Sequence, residues 1–287
     1  MAERALVLGG GGITGIAWEI GILAGLAEHG VDLTAAELVV GTSAGSVVGV
    51  DVRSGATLAD LYRTQVAPAT GEIYAKMRLP VMLSYARAMA FTRKPEVARR
   101  RVGAMALRTP TESEDARRKV IESRLPTREW PDGKLQVTAV DAANGEFAVF
   151  DAASGVGLVD AVGASCAVPG IWPPVTINGR RYVDGGVRSP SNADLAAGYE
   201  RVVVIAPLPQ GFGVVESVRR QVRKLTDQGV RVAVVTPDRD ALRAIGRNVL
   251  DPARRPAAAR AGHAQAASVV AAVSAVWATG ETASHAS

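Results

Sequence analysis

Residues 38–46 constrain the fold of this chain more than any other stretch. They read Leu-Val-Val-Gly-Thr-Ser-Ala-Gly-Ser, so apolar residues typical of a buried strand run into a turn in which two glycines flank Ser43. A segment rich in valine and suited to a helix follows. A serine in the pattern Gly-x-Ser-x-Gly between a strand and a helix is typical of a nucleophile elbow. Strands followed by glycine and serine turns also occur in proteins where the serine is not catalytic. Whether Ser43 is a nucleophile therefore depends on the rest of the sequence.

Residues 5–55 alternate between strand and helix patterns. A short buried strand is predicted at residues 5–8, and a glycine-rich turn then opens a helix with Ile16, Ile20 and Leu23 on one stripe. The strand at residues 38–40 and the helix after Ser43 complete the unit. This alternation is typical of a parallel sheet covered by helices. We therefore predict an α/β fold.

The remaining segments extend this pattern without a repeat or a linker. Residues 58–128 predict a helical insertion after the second strand–helix unit, interrupted by five prolines. Strands are predicted at residues 135–140, 147–151, 201–206 and 231–235, a hairpin around Asn178-Gly179, and helices at residues 159–167, 214–228 and 240–249. A C-terminal helix is predicted at residues 256–278, with its valines on the face that packs on the core. We expect a single domain spanning residues 1–287.

Composition is that of a globular chain. Hydrophobic residues make up 48% of the 287 positions and charged residues 21%. The single cysteine, Cys166, forms no intramolecular disulfide and is expected to be a packed core residue. No apolar run is long enough to span a membrane, and the N-terminus enters a strand without a signal-peptide pattern, so a cytoplasmic location is expected.

Positive charge is concentrated between residues 87 and 108. This segment holds seven Lys and Arg residues and one acid, Glu96, in a chain whose net charge is +5. One interpretation is a solvated helical face, and the other is a patch that contacts anionic lipid head groups. Methionines at positions 77, 82, 89 and 105 suggest either ordinary packing or a lid or acyl-chain groove. No nucleic-acid motif accompanies the charge, so nucleic acid is not an expected partner.

Acyl transfer requires a nucleophile, a base and donors for an oxyanion. Ser43 is the candidate nucleophile. Donor candidates are the backbone N–H groups of the glycine run Gly10, Gly11 and Gly12, and that of Ala44 at the start of the helix after Ser43. The glycine run also matches a dinucleotide fingerprint, but no acid stands at the end of the second strand, where that fingerprint requires one.

The base is less evident from the sequence. His29 lies beside Gly30 and suits a helix C-terminus, and His285 lies three residues from the end. His263 fits the Ser…Asp…His order of an α/β-hydrolase triad, although its surroundings are ordinary helix. Asp184 follows a predicted strand and precedes two glycines, which places a carboxylate at the edge of a sheet. Burial would raise its pKa from the usual value of about 3.9 and make it a better base.

Three motifs in this order resemble the patatin-like phospholipase family: Gly10-Gly11-Gly12-x-x-Gly15, Gly41-Thr42-Ser43-Ala44-Gly45 and Asp184-Gly185-Gly186. Residues 164–174 also resemble the stretch before the family's Asp-Gly-Gly, so the resemblance covers roughly residues 4–206. It implies a three-layer α/β/α sandwich with a central, mostly parallel sheet. It also implies a Ser–Asp dyad acting on lipid acyl esters, with Ser43 as nucleophile, Asp184 as base and residues 10–12 as the oxyanion loop. The family's glycine loop usually carries an arginine where this chain has Thr14.

The sequence therefore predicts a serine lipid acyl hydrolase, of the phospholipase A or carboxylic ester hydrolase type. Its expected partners are a lipid or acyl-ester substrate and, peripherally, an anionic membrane surface. No cofactor or metal is expected. Two alternatives stay open. The first is a catalytically weak lipid-binding or regulatory protein of the same fold, which is suggested by Thr14 at the position where the family usually has arginine. The second is an α/β-hydrolase esterase that uses His263.

Overall fold

A central sheet organises the chain in the computed structural model, which describes residues 3–68, 74–76, 79–211 and 213–278. The sheet has eight strands in the described part, in the order β5-β6-β3-β2-β1-β7-β8, with β4 also paired to β3. The strands are β1 Arg4–Leu8, β2 Leu38–Gly41, β3 Lys134–Asp141, β4 Phe147–Phe150, β5 Val175–Ile177, β6 Arg180–Asp184, β7 Arg201–Ile205 and β8 Arg231–Val235.

The five strands from β3 through β2, β1 and β7 to β8 run parallel to one another. The other three form an antiparallel margin, because β4 and β6 pair antiparallel with β3 and β5 pairs antiparallel with β6. This confirms the α/β fold with a mostly parallel sheet. The hairpin predicted around Asn178-Gly179 is the β5–β6 pair.

Helices cover both faces of the sheet. They are α1 Gly12–Glu28, α2 Ala44–Arg53, α3 Leu58–Val66, α4 Leu79–Met89, α5 Pro95–Arg108, α6 Glu114–Arg124, α7 Leu158–Ser165, α8 Val218–Asp227, α9 Arg239–Ile245 and α10 Arg255–Trp277. Leu6 and Leu8 of β1 pack in the large core that holds α1, α2 and α10. Ala5 and Val7 point to the opposite face, where α8 packs. Alternate burial along one strand therefore produces three layers.

Two predicted helices are shorter in the structure. The segment predicted to be helical from residue 214 begins as α8 at Val218, because Val214 and Val215 pack against the cluster beneath α4 and α5 instead. The segment predicted to end at residue 249 ends at Ile245, because Gly246 has φ of 73° and cannot continue a right-handed helix. In α10, Val273 is buried in the main core, with Val269 and Val276 packed against it, as predicted.

No helix in the described ranges combines the length and the apolar character needed to cross a lipid bilayer.

Gly45 fixes how closely α2 can approach β1. A Cβ at this position would lie 2.1 Å from the Leu8 carbonyl oxygen and 2.7 Å from the Leu8 Cβ. We expect Gly45→Ala to lower the free energy of unfolding by about 3 kcal/mol or more, because backbone and not a flexible side chain blocks the methyl group. Denaturant unfolding measures this effect. Gly163→Ala in α7 is the matched control, because its Cβ would meet only Val175 at 3.6 Å. Equal stability of the two variants would contradict the expectation.

Candidate active site

Ser43 lies at the junction of β2 and α2 in a strained backbone conformation. Its φ and ψ are 53° and −116°, a region that L-residues rarely occupy and that costs about 1–3 kcal/mol. Contacts on both sides hold it there. The Ser43 N–H donates to the Ser165 hydroxyl at 2.8 Å, and the Ser46 hydroxyl donates to the Ser43 carbonyl at 2.6 Å. The tight turn predicted from Gly-Thr-Ser-Ala-Gly is thus present, with a buried serine at its apex.

Asp184 is the last residue of β6 and is also buried. Its carboxylate accepts hydrogen bonds from the Ser43 hydroxyl and from the Gly186 N–H, the latter at 2.7 Å. Burial raises the pKa of Asp184 from 3.8 to about 6, while these two hydrogen bonds oppose the rise. The fold therefore brings Ser43 and Asp184, which are far apart in sequence, into direct contact.

Asn192 ties together the two backbone segments that carry these side chains. Its side-chain amide donates to the Thr42 hydroxyl at 3.0 Å and to the Gly185 carbonyl at 3.3 Å. The same Nδ2, which carries two hydrogens, also lies 3.2 Å from the Thr138 hydroxyl oxygen of β3. Thr42 precedes Ser43 and Gly185 follows Asp184, so one buried amide fixes the spacing of the pair. Asn192 adopts a left-handed conformation, which asparagine tolerates better than most residues.

The glycine loop lies directly beside Ser43. A Cβ added at Gly10 would come within 3.5 Å of the Ser43 Cβ. The N–H of Gly10 donates to the Pro190 carbonyl at 2.7 Å, so Gly10 has no free N–H to offer, in contrast to the expectation for this residue. Among the described residues, the N–H groups of Gly11, Gly12 and Ala44 have no such acceptor. Gly12 has φ of 59°, which favours glycine at the turn into α1.

These groups open into one cavity of about 340 Å³. Its walls are mainly apolar and come from distant parts of the chain, among them Val168, Ile171, Leu208 and Val249. Tyr85 of α4 lies beside Asp184, and burial together with that negative charge raises the pKa of the Tyr85 hydroxyl. Arg247 supplies the one positive charge among the described lining residues. The cavity therefore combines a serine, a carboxylate and free N–H groups with an apolar wall.

Three contributors to this site were not identified from the sequence. Ser165 and Arg247 lie in segments predicted to be helical, Asn192 lies in a segment without a predicted element, and each reaches the site through tertiary contacts. Tyr85 lies in the helical insertion for which the sequence suggested a lid or acyl-chain groove, and it lines the cavity. Ser165 lies in the stretch that resembles the family, which was the one available signal. Arg247 follows α9, in a segment predicted to be ordinary helix.

His263 is not brought to this site. It lies on α10, where its Nε2 is 3.0 Å from the Glu28 carboxylate and its ring stacks on Tyr62. Glu28 ends α1, whereas Gly12 at the active site begins it, and a helix of this length spans about 25 Å. His29 has the capping role suggested by its position, with Nδ1 2.7 Å from the Gly25 carbonyl.

Cys166 contacts the backbone of the turn that carries Ser43. Its thiol donates to the Ser43 carbonyl at 3.4 Å. Burial and the nearby Asp184 carboxylate raise the pKa of this thiol to about 11, so the sulfur stays protonated at neutral pH. This agrees with a packing role for Cys166.

Comparison with known proteins gives a family and a fold. The family model described as patatin-like phospholipase matches residues 6–197. VipD from Legionella pneumophila shares 13% identity and superposes with a TM-score of 0.50, covering 95% of this chain and 67% of VipD. The type III effector protein ExoU shares 16% identity at a TM-score of 0.45, and the match spans 95% of this chain but 53% of ExoU. The likeness to VipD concerns the fold alone. Because the family model matches well over half of the sequence and includes all three motifs around the cavity, the chain belongs to the patatin-like phospholipase family.

Proposed function

We propose that this protein hydrolyses lipid acyl esters with Ser43 as nucleophile and Asp184 as its base. Membership of a phospholipase family supports lipid hydrolase activity in general. The observation that supports the specific mechanism is the hydrogen bond from the Ser43 hydroxyl to a buried carboxylate beside a glycine loop. A nucleophile in contact with a base, next to free N–H donors, is the arrangement that acyl transfer requires.

In the proposed mechanism Asp184 accepts the Ser43 proton as the serine oxygen attacks the ester carbonyl carbon. A pKa of about 6 leaves Asp184 ionised at neutral pH, yet more basic than an ordinary aspartate. The tetrahedral oxyanion is stabilised by the N–H groups of Gly11, Gly12 and Ala44 and by the partial positive charge at the N-terminus of α2. Asp184 then gives the proton to the departing alcohol. A water molecule, deprotonated by the same carboxylate, releases the fatty acid and regenerates Ser43.

The lining of the cavity favours a lipid over a small polar ester. Its apolar wall suits an acyl chain, and Arg247 suits the phosphate of a head group. In this proposal Arg247 takes the place of the cation that the family usually carries at the position of Thr14. A phospholipase A reaction therefore fits the cavity better than hydrolysis of a short soluble ester.

A turnover series tests the proposal. Nitrophenyl esters of increasing acyl length, followed by phospholipids labelled in one acyl chain, should show that kcat/KM increases with chain length and that labelled fatty acid is released. Binding of phospholipid without any release of fatty acid would support the lipid-binding alternative instead.

His263→Ala is expected to leave kcat/KM within about threefold of the parent value, because His263 contacts Glu28 and Tyr62 and not Ser43. Its loss should lower the free energy of unfolding by about 1 kcal/mol at most. Initial rates on one soluble ester measure the effect. If kcat/KM of His263→Ala fell to the level of a variant without Ser43, the mechanism would be a Ser-Asp-His triad and not a Ser-Asp dyad.

A further inference from the structure

Large apolar side chains are unusually exposed on α4 and in the turn after it. Leu79, Met82 and Leu83 are 67%, 51% and 62% exposed, and Phe91 is fully exposed. The α4 residues stand at positions i, i+3 and i+4, with Ala86 at i+7, so they form one stripe along the helix. A helix of a globular protein normally turns such a stripe towards the core. Here the stripe faces solvent.

The opposite side of α4 is anchored to the protein. Ala88 and Met89 are buried in a cluster that includes Val140 and Val183 of the sheet. From this anchored side Tyr85 lines the active-site cavity. The exposed stripe therefore lies about one helix diameter, roughly 10 Å, from the cavity.

Basic residues border the stripe. A groove of about 740 Å³ between α4 and α5 is lined by Arg87, Arg101 and Arg108 together with Phe91, and its described lining holds no acidic residue. Arg93, Lys94 and Arg100 are exposed nearby. Glu96 is the one acid between residues 87 and 108. An apolar stripe inside a border of one sign of charge is complementary to a surface that is apolar within and anionic outside.

The structure corrects part of the lipid-contact hypothesis drawn from the sequence. Met89 and Met105 are buried in the cluster beneath α4 and α5 and do not line the active-site cavity, and Met77 lies outside the described residues. Arg99 is half-buried, with its Nε donating to the Gly145 carbonyl at 2.7 Å, so it fastens α5 to the turn after β3. Met82 is exposed, as the lipid-contact hypothesis requires, and the other exposed apolar side chains of this surface are Leu79, Leu83 and Phe91.

We propose that the α4 stripe and its basic border dock on the surface of a lipid bilayer that contains anionic phospholipids. The stripe inserts at the boundary of head groups and acyl chains, and the arginine groove holds lipid phosphates. Docking presents a lipid to the neighbouring cavity. The inference rests on the proposed function, since it assigns the source of that site's substrate.

Vesicle co-sedimentation tests docking, with all variants built on Ser43→Ala so that no lipid is consumed. Phosphatidylcholine vesicles are compared with vesicles in which about a third of the lipid is phosphatidylglycerol. Binding to the anionic vesicles should be stronger and should weaken with salt, because salt screens the attraction over about 8–10 Å. Met82→Asp with Leu83→Asp should weaken binding to both vesicle types by about tenfold or more.

Charge reversal separates the electrostatic part. The side chains of Arg93 and Lys94 form no hydrogen bond or ion pair with other described residues, so Arg93→Glu with Lys94→Glu should not disturb the fold. Each basic residue near an anionic surface strengthens binding about fivefold, so this pair should lower binding to anionic vesicles by about 30-fold or more. Binding to phosphatidylcholine should hardly change. The matched controls are Leu242→Asp on α9 and Arg219→Glu with Arg223→Glu on α8, all exposed, and they should bind like the parent.

The outcomes separate this inference from the proposed function. The same surface variants with Ser43 intact should hydrolyse a soluble ester at the parent rate, because none of the changed residues lines the active-site cavity. Absence of ester turnover in the parent would overturn the proposed function but leave the vesicle results valid. Parent-like vesicle binding by the Met82 and Leu83 double variant would overturn docking. Docking would also be overturned if the parent were a dimer in solution and this double variant a monomer, because a second copy of the chain would then cover the stripe.

Discussion

Ser43→Ala is expected to lower kcat/KM for acyl-ester hydrolysis by a factor of roughly 10⁴ or more, since loss of the nucleophile in other serine hydrolases has effects of this size. The fold should be retained. The turn is held by the backbone N–H and carbonyl of residue 43, through Ser165 and Ser46, and alanine keeps both groups.

Initial rates and covalent labelling measure this effect. A fluorophosphonate probe should label the parent at residue 43 and leave Ser43→Ala unlabelled. Ser123→Ala, which changes a serine of α6 remote from the cavity, serves as the matched control and should be labelled and active like the parent. Activity of Ser43→Ala within tenfold of the parent would rule out Ser43 as the nucleophile.

Asp184→Asn is expected to lower kcat/KM by roughly 10³-fold, because an amide cannot accept the Ser43 proton. In the parent, kcat/KM should rise with pH, reach half its maximum near the Asp184 pKa of about 6, and level off above it. The direction follows from the role of the base, which acts only when ionised. A rate profile that is flat between about pH 5 and pH 8 would contradict a base with this pKa.

The same substitution should not destabilise the protein at neutral pH. The pKa of the Asp184 carboxyl is higher in the folded protein than in the unfolded chain. Its contribution to the free energy of unfolding is therefore lost as pH rises from the unfolded pKa of about 3.8 through the folded pKa of about 6. Two pKa units correspond to about 3 kcal/mol, which is the upper limit of the penalty that the ionised carboxylate imposes. The asparagine side chain of the variant carries no charge, so the variant should equal or exceed the parent in stability at about pH 8.

Other buried carboxyls make the comparison with the parent necessary. Burial raises the pKa of Asp51 on α2 to about 7 and raises that of Glu19 on α1 as well. Both contribute to the pH dependence of unfolding in parent and variant alike. The difference between Asp184→Asn and the parent therefore isolates Asp184, and a variant that is less stable than the parent at about pH 8 would mean that the carboxylate supports the fold.

Much of the fold follows from local sequence patterns. Alternating strand and helix signals at residues 5–55 were sufficient for a parallel sheet, because periodicity of burial is a local property of the chain. Helix ends were less accurate. The helix predicted from residue 214 begins only at Val218, because Val214 and Val215 pack against the cluster beneath α4 and α5. A local sequence pattern does not reveal such a contact.

The candidate site divides in the same way. Ser43, Asp184 and the glycine loop were predicted because each lies in a short motif whose backbone geometry demands glycine or a tight turn. Asn192 was not predicted, although it spaces the Ser43 and Asp184 segments, because an asparagine in a loop carries no sign of the partners it will meet. Gly10 was predicted as a donor, but the Pro190 carbonyl occupies its N–H.

By itself the sequence determined the elements of the sheet and the tight turn at Ser43, since these depend on residues adjacent in the chain, and its Asp-Gly-Gly motif made Asp184 a candidate for the acid. Tertiary structure alone decided which N–H groups stay free, that His263 lies at the far end of α1, and that α4 turns an apolar stripe to solvent. Those properties depend on contacts between residues that are distant in sequence, and burial and hydrogen bonding are set by the neighbours that the fold supplies.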